Sequence, residues 1–352
     1  MNYKNIPISD AHIHVFWDKP LKERLELLKS IMEKHNYDTA TILAIPLNSA
    51  RKVKSRDYLE NLKAFYIKSQ MPEKIYAFSG FSHYYDDTKN TPEFYLKQAE
   101  FYMAAGFDGL KMIEGRPNQR FILGHGYDDP RYDLMYEYAE KNHIPIVIHA
   151  SGVERSWQKG GKYANDPLGF FDYYKELDHM MSKFPKLKVT FAHFNFITGH
   201  IDMAAEFLDK WENIYYDICP NQFMFLDFQK KPDEWKEFFI KYQDRIIYGT
   251  DIGSNTKDLD GKEADSLVHM VRGFFEENDP FAELGYAFVP IPLDDDILRK
   301  FYKDNMMKFY EGKAPKKLVP SVMKEEVDAV TKMRILLNVD EAADLELIKT
   351  IF

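Results

Sequence analysis

Hydrophobic residues fall into eight short runs rich in β-formers, spaced along most of the chain. They are PISDAHIHV (7–15), TATILAIP (39–46), IYAFSGFS (75–82), GFDGLKMI (106–113), PIVIHAS (145–151), KVTFAHFN (188–195), IYYDICP (214–220) and RIIYGTDIG (245–253). Within the runs apolar positions are nearly continuous rather than alternating, as a parallel strand covered on both faces requires. Between them lie segments of helical length: 20–35, 56–71, 92–105, 131–143, 168–184, 201–211, 233–243 and 264–278. The fourth segment sets Leu134, Met135, Tyr138 and Ala139 on one face and Glu137, Glu140 and Lys141 elsewhere. Eight strands alternating with eight helices predict an α/β fold of the (β/α)8 TIM-barrel type. A doubly wound sheet would carry a glycine-rich phosphate turn after its first strand, but the residues there read HIHVFWDKP. Past the eighth strand a loop (279–293) leads to a helix over 294–312. The spacing of Val322, Met323, Val327, Val330 and Met333 predicts two further helices. The expected organisation is a barrel over residues 1–312 and a C-terminal helical extension over 313–352.

Composition narrows the function classes. Of 352 residues, 45% are hydrophobic and 15% aromatic, ample for a large core. Charge interrupts every apolar stretch well short of the ~20 residues of a membrane span. With 47 basic and 56 acidic residues the net charge is −9, which disfavours nucleic acid or an anionic membrane as a partner. One cysteine, Cys219, excludes an intrachain disulfide framework and any cysteine-based zinc site. The opening residues, MNYKNIPISD, lack the apolar run of a secretory signal. The expectation is a soluble cytoplasmic protein that handles small molecules.

In a barrel the active site lies at the C-terminal ends of the strands. His12-Ile13-His14 would arise by chance about 0.3 times in such a chain, so its position matters more than its presence. A period of two puts Asp10, His12 and His14 on one face of the first strand, with the histidines at its exit. His149 and His193 occupy the exits of strands five and six, Asp251 that of strand eight, and Lys111 interrupts the apolar fourth strand. Imidazoles and a carboxylate at one rim suit Zn²⁺, with Mn²⁺ or Fe²⁺ as alternatives.

The ordered set of HIH, a strand-five histidine, a strand-six histidine and a strand-eight GTD resembles the amidohydrolase superfamily. Within it the chain is most similar to the amidohydrolase-2 group, which includes aminocarboxymuconate-semialdehyde decarboxylase, γ-resorcylate decarboxylase and lactonases. The segments DPRYDLMYEYAEKNHIPIVIH, FPKLKVTFAH and RIIYGTD carry the likeness further, over about residues 6–310. The resemblance implies one divalent ion associated with His12, His14, His149 and Asp251, and a catalytic pair, Asp251 and His193. Asp251 would take a proton from metal-activated water and pass it to the leaving group, and His193 would polarise the substrate. In superfamily members with two ions a carboxylated strand-four lysine bridges them. Lys111 is therefore open to that role, to pairing with an acid such as Glu114, or to binding a substrate anion. Ile113 and Glu114 depart from the histidine-proline pair that relatives often carry there.

Two loops supply candidate substrate contacts. EGRPNQRFILGHGYDDP (114–130) is long enough to cover a barrel mouth, and its Arg116 and Arg120 offer planar forks for a carboxylate. SGVERSWQKGGKYANDP (151–167) adds Arg155 and Trp157. Trp17 and Asn195, with Asn48, Arg51, His83, Tyr84 and Asn221, sit at other strand exits. His125, between two glycines, reads as a surface loop histidine, with a mobile catalytic or gating role as the alternative. The expected activity is hydrolysis of a C–N or lactone C–O bond in a small, carboxylate-bearing substrate. Non-oxidative decarboxylation is the alternative, and a catalytically inert binding barrel a third reading. The apolar stripe over 319–336 offers a surface for a homodimer.

Overall fold

The structure, a computed structural model, describes residues 3–46, 59–84, 86–332 and 339–352. Its strands are β1 (Ile8–Ile13), β2 (Tyr37–Leu43), β3 (Ile75–Gly80), β4 (Gly109–Met112), β5 (Ile146–Ile148), β6 (Val189–Phe191), β7 (Ile214–Asp217) and β8 (Ile246–Ile247). They form one sheet in the order β1 to β8, the arrangement of a (β/α)8 barrel. Helices α1 (Leu21–Lys34), α2 (Glu60–Gln70), α3 (Pro92–Ala105), α4 (Pro117–Leu123), α5 (Asp133–Lys141), α6 (Asp172–Lys183) and α7 (Ile201–Lys210) connect successive strands, α4 and α5 both between β4 and β5. After β7 come α8 (Gln222–Phe228) and α9 (Pro232–Lys241), and after β8 comes α10 (Lys262–Glu276). A hairpin, β9 (Phe281–Glu283) and β10 (Tyr286–Phe288), precedes α11 (Asp295–Arg299) and α12 (Asn305–Phe309). The C-terminal region is helical, with α13 (Pro320–Lys332) and α14 (Val339–Lys349). Among the described residues no helix is long and apolar enough to cross a membrane.

The chain divides into two compact units. The first comprises Met1–Lys19, Arg24–Thr41 and Thr190–Lys313. Its core is aromatic: Phe194, Phe228, Trp235, Phe239, Phe274, Phe275 and Phe301 are buried and meet largely edge-to-face. A parallel bridge between Ile13 and Ile252 joins β1 to the segment after β8. The helix expected over 294–312 is broken by a π-helical turn at Lys300–Asp304. There the Phe301 carbonyl accepts the Tyr248 N–H at 2.8 Å, and Asn305 Nδ2 donates to the Ile246 carbonyl at 2.7 Å. The distortion lets a helix satisfy the backbone of the two-residue strand β8.

The second unit comprises Pro20–Glu23, Ile42–Val189 and Ala314–Phe352. Here β3, β4 and β5 pair in parallel, Gly80 opposite Lys111 and Lys111 opposite Val147. Asp108, just before β4, binds Lys68 Nζ at 2.5 Å and the Lys316 N–H at 2.7 Å, anchoring the start of the C-terminal region. Met323, Val327 and Val330 of α13 are buried against α2, α3 and α14. These three residues of the stripe expected to offer a surface for a second copy are covered by the chain's own helices, while Val319 is exposed and residues 333–336 lie outside the described residues.

Candidate functional site

In the first unit, β1 delivers His12 and His14 to a cluster completed by the exits of β6, β7 and β8. His14 Nε2 lies 3.4 Å and His12 Nε2 3.8 Å from the same oxygen of Asp251, Oδ1. Both imidazoles are buried, whereas the Asp251 side chain keeps 24% of its surface exposed. The other ring nitrogen of His12, Nδ1, donates to Asp217 Oδ2 at 2.8 Å, deep in the interior. That bond fixes the tautomer and turns the Nε2 lone pair toward Asp251. His193 is oriented in the same manner, its N–H on Asp217 Oδ1 at 2.6 Å and its Nδ1–H on the Cys219 carbonyl at 3.1 Å. The rings of His12 and His193 are 5.1 Å apart.

Two triads of ligand-capable atoms result, each with its atoms within 4.8 Å of one another: His12, His14 and Asp251, and His12, His193 and Cys219. Two imidazole lone pairs converging with one carboxylate oxygen is a donor set that fits a divalent cation. The second triad corrects the expectation drawn from cysteine count: one thiol cannot build a zinc site, but it can join two imidazoles in a mixed one.

The backbone is strained where it holds these groups. His193, Phe194, Asn195 and Phe196 are four consecutive left-handed residues, with φ between 53° and 59°, and Asp251 has φ 60°. Each costs about 1–2 kcal/mol in a non-glycine residue, so the surrounding packing must hold the turn in place. Gly249 contributes space. A Cβ there would stand 3.0 Å from His12 Cβ and 3.2 Å from Cys219 Cβ, so a larger residue would press these side chains apart by a few tenths of an ångström.

Asp10, on the same face of β1, accepts from Thr250 Oγ1 (2.6 Å), Tyr37 Oη (3.0 Å) and the His12 N–H (2.9 Å). Burial pushes its pKa up to about 7 against these hydrogen bonds. It is a brace between strands rather than a group facing the cluster. Trp17 is fully buried, its indole N–H without a partner among the described residues, rather than displayed at a mouth. Asn195 is buried within the left-handed turn. Asn221 caps α8 by accepting the Met224 N–H at 3.0 Å.

The second unit carries a polar site of its own. A pocket is lined by Ala44, Pro46, Gly80, Phe81 and Ile113, with Lys111, Glu114, His83 and Gln119 as its polar residues. Lys111 and Glu114 are almost fully buried. His83 bridges inward, Nε2 to Glu114 Oε1 at 3.2 Å and Nδ1 to Tyr95 Oη at 2.8 Å, while Glu114 Oε2 accepts the Ile113 N–H at 2.8 Å. Burial raises the Tyr95 hydroxyl well above the ordinary tyrosine range, so it stays a proton donor to His83.

The remaining expected contacts are placed as follows. His149 ends β5 half-buried, its N–H on the Met112 carbonyl (2.9 Å) and its own carbonyl accepting from Tyr127 Oη (2.6 Å). Arg116 precedes α4, half-buried. The loop that holds Arg120 is in part this helix, and the Arg120 fork grips Glu176 through Nη1 (2.9 Å) and Nη2 (2.7 Å). Burial lifts the Glu176 carboxyl to about 7, with Arg120 opposing. Arg155 is exposed in a short 3₁₀ turn, and Trp157 donates to the Leu168 carbonyl at 2.9 Å. Tyr84 is largely exposed. His125 is buried, not on the surface, and burial together with Arg131 lowers its pKa to about 4. Asn48 and Arg51 lie outside the described residues.

Sequence reasoning missed Asp217. The signal was present: Asp217-Ile218-Cys219 at the exit of β7 repeats the spacing of His12-Ile13-His14, a carboxylate and a thiol two residues apart on one face of an apolar strand.

Comparison with known proteins supports the architecture. An uncharacterized TIM-barrel protein from Bordetella bronchiseptica superposes with a TM-score of 0.56 at 15% identity, over 88% of this chain and 100% of that one. A dihydroxybenzoic acid decarboxylase from Polaromonas sp. JS666, solved with bound manganese and the inhibitor 2-nitroresorcinol, gives 0.54 at 13% identity, over 88% and 98%. 4-Oxalomesaconate hydratase from Rhodopseudomonas palustris gives 0.51 at 14% identity, over 93% and 99%. A search of curated protein sequences found no match. At these identities the structural likeness speaks for the fold. The sequence itself matches the family Amidohydrolase over residues 9–312, and the chain belongs to that family of enzymes.

Proposed function

We propose that the chain is a metal-dependent hydrolase that cleaves a C–N or lactone C–O bond in a small, carboxylate-bearing substrate. The observation that carries this reading is the aim of His12 Nε2 and His14 Nε2 at one oxygen of Asp251, with Asp217 holding His12 from behind. A divalent ion held by His12, His14 and Asp251 would supply a Lewis acid that polarises a carbonyl and acidifies water. The chain's own groups do the rest. Asp251, partly exposed, takes a proton from the attacking water and returns it to the leaving group. His193 spends Nδ1–H on the Cys219 carbonyl, so its Nε2 is the atom that can meet the substrate, donating when protonated to oxygen that gains negative charge. The left-handed turn fixes that nitrogen in advance. Zinc is the expected ion, with manganese or iron as the alternatives.

Decarboxylation is the second reading, favoured by the likeness to the manganese-containing dihydroxybenzoic acid decarboxylase. Isotope distribution separates the two: incorporation of oxygen from labelled water into product marks hydrolysis, and release of CO₂ marks decarboxylation. Elemental analysis tests the centre itself. With Mn²⁺ as the probe we expect about one ion per chain, lost on His14→Ala and retained weakly on Asp251→Asn, with activity reduced on the order of 10³-fold in Asp251→Asn through loss of its proton transfer. Full turnover by Asp251→Asn, or no ion after supplementation of the purified protein, would overturn the proposal.

A further inference from the structure

Within the first unit the two triads share His12 but differ in chemical character. His14 and Asp251 add an imidazole and a hard carboxylate oxygen, whereas His193 and Cys219 add an imidazole and a soft sulfur. With Nδ1 committed to Asp217 at 2.8 Å, His12 has one nitrogen, Nε2, to offer to either set. A single lone pair cannot serve two ions at once, so occupation of one position excludes the other.

We infer that His12, His193 and Cys219 form a second metal position, selective for thiophilic divalent ions, that competes with the His12–His14–Asp251 position. Four observations converge on it. All three side chains are buried, so a bound ion would be shielded from competing water. The Cys219 N–H rests on Asp217 Oδ1 (3.2 Å), as does the His193 N–H (2.6 Å), so one carboxylate positions the backbone of both ligands as well as the ring of the third. Gly249 leaves the space that His12 and Cys219 fill side by side. The His193 Nδ1–H bond to the Cys219 carbonyl presents Nε2 as the coordinating atom. Thiolate ligands favour Zn²⁺ or Cd²⁺ over Mn²⁺, whereas a carboxylate-containing set accommodates Mn²⁺. Binding balances as the thiol plus the dication giving the thiolate complex and one proton released to solvent. The consequence for the enzyme is inhibitory, because an ion seated there takes both His12 from the first position and the His193 nitrogen assigned to the substrate. This inference rests on the metal-binding part of the proposed function, but not on its reaction.

Cys219 is the chain's single thiol, so any thiolate-to-metal charge-transfer band belongs to it. The full-length protein is freed of metal with a chelator and titrated with Cd²⁺, following ultraviolet absorption and bound cadmium together. We expect a charge-transfer band that saturates at about one ion per chain, absent in Cys219→Ser and Cys219→Ala, and present in His14→Ala and Asp251→Asn. Mn²⁺ should give no such band, and preloading with Mn²⁺ should shift the cadmium titration to higher concentration. Cadmium bound by the wild-type chain without the band would overturn the inference whether or not any variant folds. A band that survives in both Cys219 variants, or vanishes in folded His14→Ala, would do the same. If the chain binds Mn²⁺ and shows no cadmium band, this inference fails and the proposed centre stands. If it binds neither ion, both fail.

Discussion

The imidazole cluster of the first unit and the pocket of the second are built from similar residues to opposite ends. In the cluster, Nδ1 of His12 and of His193 is tied to a carboxylate or a carbonyl, and Nε2 of His12 is turned toward Asp251 Oδ1 beside Nε2 of His14. Such an arrangement is repulsive until a cation fills it. In the pocket, His83 is engaged at both nitrogens by Glu114 and Tyr95, and the prominent group is the buried amine of Lys111. The lesson is that a buried histidine is read by what its second nitrogen does. A tied Nδ1 with a directed Nε2 points to a metal, and a ring bonded at both ends points to a structural or proton-relay role.

That contrast sets separate expectations for separate variants. The largest effect should follow Asp217→Asn, which keeps the shape but replaces an acceptor that serves His12 Nδ1–H and two backbone N–H groups. Metal affinity should fall about 10–100-fold, as for other groups that orient a metal-binding histidine, with a lower melting temperature. Metal content measured after dialysis against a weak chelator checks it, and retention equal to wild type would remove the tautomer argument. Lys111→Met should behave in the opposite way. If the ammonium holds an anion, KM for an acidic substrate should rise about tenfold, equal to roughly 1.4 kcal/mol, while metal per chain stays constant. Loss of metal in Lys111→Met would revive a bridging lysine and erase the distinction between the two regions.

The parts of this plan that could be read from the sequence are those fixed by local periodicity. Continuous apolar runs gave all eight strands, a period of two placed His12 and His14 at the exit of the first, and the ends of the later runs held His193 and Asp251. Asp217 and Cys219 obey the same period, yet the cysteine count directed attention away from them. Other features depend on distant partners. The π-helical turn at Lys300–Asp304 exists because Tyr248 needs an acceptor, which no helical pattern records. The hairpin β9–β10 and helix α4 are short elements inside segments whose polarity reads as loop. The His83–Glu114–Tyr95 set joins side chains from three separate stretches of sequence. Burial of His125 between two glycines likewise follows from Tyr132 packing on it, with ring centroids 5.4 Å apart, and not from its neighbours in the chain.

Arg120 shows most directly how a loop arginine can be misread. Its residue type suits a substrate clamp, but its fork is filled by Glu176, 56 positions away in sequence. Arg120→Met should therefore leave KM for an acidic substrate within about twofold, a difference of only ~0.4 kcal/mol, and act on stability instead. The sign follows from Glu176, whose carboxyl is lifted by burial from 4.5 to about 7 in the folded chain while Arg120 pulls it down. Below pH 4.5 the carboxyl is protonated in folded and unfolded chains alike, and the variant loses little. As pH rises through 7 the folded chain must carry a buried charge, and without Arg120 that charge has lost its partner. The variant's deficit should grow from near zero at pH 4 to about 1 kcal/mol at pH 8, read as a widening gap between the melting temperatures of the two proteins. A gap that is constant with pH, or widest in acid, would show that Glu176 does not depend on Arg120. A large rise in KM would return the arginine to the substrate.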